Sequence, residues 1–255
     1  MTDPASAGPI ALFAAMDIEL AGLRRLLEAE PASGDAPGVS RGRIAGKQVV
    51  LVETGVGPER ARMAAEAVCD HCRPAAVISL GFAGALRAGL RAGDIVLTKA
   101  VCKPLTGELA NTGMLERLPA DPALMAAATR AAARAHLRWR QGESLTLAQP
   151  LVDAAAKRRA ASAFPVDIVE MESYAIARAA AGHAVPFVAL RAISDTAEES
   201  IEGFADLAAS KDRGRAMLRM LRNPGRARAG ARLGLNILRA QKTLTAAALG
   251  LIELL

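Results

Sequence analysis

The stretch Val169-Glu170-Met171-Glu172-Ser173-Tyr174-Ala175 sets two carboxylates either side of a methionine, in a chain that is 52% hydrophobic. Apolar sequence at a strand-to-helix junction is costly ground for two carboxylates unless polar partners meet them. Two further segments place acids after apolar runs. AAMDIEL, residues 14 to 20, carries Asp17 and Glu19, and RAISDTAEE, residues 191 to 199, carries Asp195. Strand ends of this kind are where α/β sheets usually hold ligands. A fourth segment, GFAGALRAGLRAGDIV (residues 81 to 96), has glycines that let backbone approach a ligand closely. Each also has a plainer reading. Asp17 or Asp195 alone would serve as a helix cap, and a Gly-rich segment between strands is usually a turn.

The elements that would carry these residues alternate. Residues 9 to 15, 76 to 80, 94 to 100 and 186 to 193 are short apolar runs that read as buried strands. Residues 44 to 52 read as a hairpin turning at Gly46-Lys47. Helices are expected over 18 to 30, over 58 to 70 behind Pro58, over 121 to 135 behind Asp121-Pro122, and over 173 to 182. Residues 103 to 120 read as a loop. Strands apolar on both faces, alternating with helices, predict one α/β domain over 1 to 221. Its centre would be a mixed, mostly parallel twisted sheet flanked by helices, with a helical tail over 222 to 255.

Composition narrows the function classes. Aromatics are only 3%, so the core must be aliphatic. Three cysteines, Cys69, Cys72 and Cys102, are too few for a disulfide framework, which fits a reducing, cytoplasmic compartment. Cys69-Asp70-His71-Cys72 lacks the second ligand pair that a zinc site of this type needs, and reads as a helix end with its thiols packed inward. MTDPASAGPI has no basic n-region and does not read as a signal peptide. From Arg222 onward six basic residues face one acid, Glu253, so +5 of the formal net charge of +6 belongs to the tail. Without an aromatic stacking platform in that tail, nucleic-acid binding is disfavoured.

Taken together, AAMDIEL, the GxAGxLxxGLxxGDIV pattern, VEMESYAIA and VPFVALRAISDTA resemble the nucleoside phosphorylase and nucleosidase superfamily. The resemblance runs over roughly residues 8 to 200 and is closest to 5′-methylthioadenosine/S-adenosylhomocysteine nucleosidases. It implies a nucleoside phosphorylase-like fold and cleavage of a purine N-glycosidic bond, with adenine the favoured base. It also implies that Asp195 protonates the leaving base, that Glu172 binds the ribose hydroxyls and steadies the cationic sugar, and that Glu19 activates water. Met171 would pack on the ribose, with Glu170 and Arg191 beside it. Phe82, Ala83, Gly84, Leu145 and Ser194 would complete the substrate-binding set. An aspartate acting as acid near neutrality would need apolar neighbours such as Ile193. No metal or organic cofactor is implied, and a homodimer is.

Two departures shape the expectation. Phe82 stands where a serine is usual, which favours water over phosphate as nucleophile, and Leu145 stands where an aromatic often stacks on the base. Residues 222 to 255 read as extending beyond the usual end of these nucleosidases. They pair basic residues with a broad apolar face of Leu233, Ile237, Leu244 and Leu249 with intervening Leu235 and Leu238, fitting either a membrane surface or docking on protein. With the LRNPG segment and Phe82, the tail is similar to the hopanoid-associated phosphorylases. That branch is linked to removal of adenine from adenosylhopane, a lipid-linked nucleoside, and implies peripheral contact with the inner membrane face. A nucleoside-binding module without catalysis is the non-enzymatic alternative.

Overall fold

A computed structural model describes residues 8 to 29, 38 to 105, 114 to 201 and 224 to 255, with side chains in the last segment described from 230 onward. The strands are β1 Ile10–Ala14, β2 Glu28–Ala29, β3 Val39–Ile44, β4 Lys47–Glu53, β5 Ala76–Ala85, β6 Ile95–Pro104, β7 Leu115–Pro119, β8 Trp139–Thr146, β9 Ile168–Glu170 and β10 Phe187–Asp195. The helices are α1 Asp17–Arg24, α2 Pro58–Cys72, α3 Pro122–Arg134, α4 Ala154–Ala163, α5 Ser173–Gly182 and α6 Pro224–Leu254.

All ten strands join one mixed sheet, in which antiparallel pairings are as frequent as parallel ones among the described residues. β10 pairs with both β5 and β6, and β8 and β9 link β6 back to β5, so half of the sheet closes on itself. The other half opens as β5-β1-β4-β3-β2. Central strands are apolar on both faces because both are covered. Leu12, Leu51 and Leu190 pack in one layer with α3 and α6 residues, while Phe13, Val50 and Ala189 pack in another with α2 and α5 residues. Side chains alternating across the pleat produce that division.

Several expected boundaries shift. The first helix ends at Arg24, and Glu28–Ala29 turns back as a short strand against β3. The hairpin turns at Ala45-Gly46, both at positive φ, one residue earlier than expected. Within 103 to 120, residues 115 to 119 form β7 against β6, and 106 to 113 lie outside the described residues. The glycines at 81 and 84 lie inside β5 rather than in a turn. Asp121 caps α3, accepting a 2.9 Å bond from the Leu124 N–H. Cys69, at the end of α2, is buried among aliphatic side chains.

The C-terminal segment docks on the domain over much of its length. Ala240, Leu244, Ala247, Ala248, Leu251 and Ile252 of α6 are buried in the same layer as α1 and α3 residues. The side chains of Arg222, Arg226 and Arg228 lie outside the described residues.

Candidate active site

Three strand ends converge on a cavity of about 250 Å³, near the lower end of the ~300–1,000 Å³ usual for small-molecule sites. Glu19, Glu172 and Asp195 all line it, with Met171, Phe82, Ala83, Gly84 and Ser194. Most of the remaining wall is aliphatic, including Val56, Leu151, Ile201, Leu233 and Ile237. The last two come from α6, so the C-terminal helix builds part of the site.

Glu19 sits in the first turn of α1, directly after β1. Its Oε2 accepts from the Met16 N–H at 2.9 Å, capping the helix, and its Oε1 accepts from the Phe82 N–H at 2.8 Å. The capping role expected of Asp17 falls to Glu19; Asp17 is exposed and paired with Arg24. Burial pushes the Glu19 carboxyl above its ordinary range of about 4.5, against the opposing pull of Arg191.

The two glutamates of VEMES have different fates. Glu170 is saturated by the protein: its Oε2 accepts from the Glu172 and Ser173 N–H groups at 2.9 and 2.7 Å and from Arg191 at 2.8 Å, and Thr146 donates to its Oε1. It receives the N–H groups at the start of α5 and neutralises Arg191, and it also borders the cavity. Glu172 accepts one bond, from the Gly57 N–H at 2.9 Å. Burial, and then repulsion from Glu170, lift its carboxyl to about 7.

Arg191, 1% exposed and not among the residues lining the cavity, also donates to Ser79 and Ser173 at 2.9 and 2.6 Å. Gly81 makes this packing possible: a Cβ there would come 1.9 Å from the guanidinium and 2.9 Å from Glu19 Oε1. The glycines of β5 therefore make room for the site's own side chains.

Asp195 ends β10 just after a register shift against β5, a bulge that aims the carboxylate into the cavity. Ser194 donates to its Oδ1 and Lys157 donates to its Oδ2. Apolar surroundings were expected here; instead a buried ammonium meets the acid, and Ile193 packs away among Ala83, Ala85 and Leu90. Leu145, expected to touch the base, is fully buried beside Cys102 and Phe164 and does not line the cavity, because its side of β8 faces the α4 layer.

Sequence reasoning missed Lys157, Thr146 and the Gly57 N–H. Lys157 had a signal: it falls between Ala156 and Ala160 on the inward side of α4, whereas Arg158 and Arg159 are exposed.

Comparison with known proteins accords with this architecture. The family described as "Phosphorylase superfamily" matches residues 9 to 222. The chain belongs to that superfamily. The 5′-methylthioadenosine/S-adenosylhomocysteine nucleosidase of Geobacillus kaustophilus is 35% identical over 213 residues, covering 78% of this chain and 91% of the relative. The Neisseria meningitidis nucleosidase of the same name, solved with methylthio-immucillin-A, superposes with a TM-score of 0.77 at 24% identity, over 97% of this chain and 100% of that one. Futalosine hydrolase of Helicobacter pylori superposes with a TM-score of 0.72 at 17% identity, over 96% and 98%. The superposition on the Neisseria meningitidis nucleosidase runs over 97% of this chain and so extends into α6, whereas the family match ends at residue 222.

Proposed function

We propose that this phosphorylase-superfamily enzyme cleaves the N-glycosidic bond of an adenine nucleoside modified at its 5′ position, using water. The observation that carries the reading is the meeting of Glu19, Glu172 and Asp195 in one largely aliphatic cavity. Glycosidic cleavage makes the sugar briefly cationic while the purine leaves with the bonding electrons, so it calls for an acid at the base, a carboxylate at the sugar and a base for the nucleophile. Glu172, with few partners of its own, is placed to accept from ribose hydroxyls and to stabilise the cation once ionised. Glu19, held at both oxygens by backbone N–H groups, accepts a proton from water, and burial raises its affinity for that proton. Asp195 faces the purine at N7. The proton it passes to the base as the C–N bond breaks is first taken up from solvent, and the proton Glu19 takes from water returns to solvent, so the cycle balances. Met171 and Phe82 supply apolar contact, and the absence of a hydroxyl at position 82 favours water over phosphate.

The finer reading is a 5′ substituent that is apolar and large, with adenosylhopane as the candidate. Val56, Ile201, Leu233 and Ile237 offer it an aliphatic wall. On the outer side of α6, Leu235 and Leu238 are each 58% exposed beside the cationic Arg232, Arg239 and Lys242, a pattern suited to an anionic membrane surface in the cytoplasm. A homodimer is part of the same proposal. Adenine release from adenosylhopane and from methylthioadenosine, each with and without phosphate, tests it. Release from adenosylhopane without phosphate is expected; faster turnover of the small thioether nucleoside contradicts the lipid reading, and dependence on phosphate contradicts hydrolysis.

A further inference from the structure

One buried charge beside the cavity has no part in the proposed reaction. Lys157 of α4 has no solvent exposure and does not line the cavity, and its hydrogen bonds go to other groups of the protein. Its Nζ reaches Asp195 Oδ2, the Thr196 carbonyl at 2.7 Å and the Glu199 carbonyl at 2.8 Å. Three acceptors take up all three ammonium protons and fix the nitrogen in space. α4 holds its own end in place, because Asp153 caps it through the Ala156 N–H at 2.7 Å. From the other side β5 lies close: a Cβ at Gly84 would come 2.9 Å from Asp195 Oδ2 and 3.6 Å from Lys157 Cε.

We infer that Lys157 is a positioning residue that locks the Asp195 carboxylate in the orientation in which it meets the departing purine. The inference rests on the assignment of Asp195 to the base side. A buried ion pair is seldom more stabilising than a well-packed apolar pair, so its value lies in geometry. One carboxylate oxygen is anchored to the ammonium and the other to the Ser194 hydroxyl. The carboxyl group is thereby denied free rotation, and Lys157 sets its plane against the cavity. The same ammonium ties down the segment from Thr196 to Glu199, whose Glu199 side chain pairs with Arg232 of α6 at 2.7 Å. The acid and the wall of the cavity are thus held by one connected set of contacts.

The test is adenine release by wild type, K157M, K157Q, D195N and the K157M/D195N double variant. K157M is expected to lower kcat by about 10- to 100-fold with KM within about threefold, and to change kcat by less than about twofold once Asp195 is already Asn. K157Q keeps hydrogen-bond donors for the two carbonyls but no charge, and is expected to follow K157M. Wild-type kcat in a folded K157M, or an equal loss in both backgrounds, overturns the inference; the second result assigns Lys157 to the 196–199 segment alone. A wild type that releases no adenine overturns the assignment of Asp195 instead. Should neither Lys157 variant melt cooperatively, the 15Nζ resonance of Lys157 in the wild type decides: a shift on adding adenine is expected, and an unmoved signal with adenine bound overturns it.

Discussion

The two ends of the cavity solve the same problem differently. At the end proposed to hold the sugar, Glu19, Glu170 and Glu172 share one guanidinium among the described residues, Arg191, and two of the three carboxyls are pushed upward. At the base end Asp195 faces the ammonium of Lys157 one to one. Burial does not separate them, since Glu19 and Asp195 are each 3% exposed. The difference lies in counter-charge. An apolar cavity holding an excess of carboxylate favours protonated forms, and a cation forming on the substrate would relieve that excess. On the proposed reading, the sugar end gains most when positive charge develops, while the base end is held for orientation.

Removing the acid at the base end is expected to have the largest effect. D195N should lower turnover by about 10²- to 10⁴-fold, read as adenine release. It also strands the buried ammonium, so chemical denaturation should show a loss of about 3–5 kcal/mol, part of which K157M restores in the double variant. Near-wild-type turnover would remove Asp195 from the acid role.

A smaller effect is expected from crowding the sugar end. G81A drives a methyl group into the fixed guanidinium of Arg191 and should cost about 1–3 kcal/mol in denaturant melts. Unchanged stability would show that Arg191 has slack and that the glycine serves something else.

The pH dependence sharpens the contrast further. Glu172 titrates at about 7 in the fold against an ordinary 4.5, so between those values the folded state binds more protons than the unfolded state. Stability therefore falls as pH rises through that window, and the loss is complete above it. Melting temperature should drop between pH 5 and pH 8 in the wild type and drop less in E172Q, which should lose activity yet gain stability at pH 8. Equal slopes in the two proteins would contradict the charge imbalance. The smallest effect concerns α6: L235S/L238S should weaken retention on anionic vesicles while leaving adenine release from methylthioadenosine within about twofold, because both side chains point outward. Unaltered retention would remove α6 from membrane contact.

Much of the site was legible because its acids follow apolar runs. Glu172 and Asp195 stand at junctions where buried strands end, and short-range pattern places such junctions well. Pattern could not divide labour between Glu170 and Glu172, because Glu170 is satisfied by Thr146 and Arg191, residues distant in sequence. Lys157 escaped notice for a related reason: Lys157-Arg158-Arg159 looks like a solvated run, and only the inward period of α4 distinguishes the first residue. The alternation of strands and helices pointed to a mixed, mostly parallel sheet with helices on both faces. Antiparallel pairings are as frequent among the described residues, because neighbours such as β3 and β4 join by tight hairpins. Its closure through β9 was not readable, since three residues, Ile168–Glu170, carry no period of their own. Nor did the basic composition around α6 show that its inward face supplies a core layer and two cavity residues.

The most direct test of the central claim is a crystal structure with a non-cleavable adenine nucleoside analogue bound. The purine N7 is expected within hydrogen-bond distance of Asp195, the ribose hydroxyls on Glu172, and a water between Glu19 and the anomeric carbon. A nucleoside bound outside the cavity, or seated with its sugar against Asp195, would contradict it.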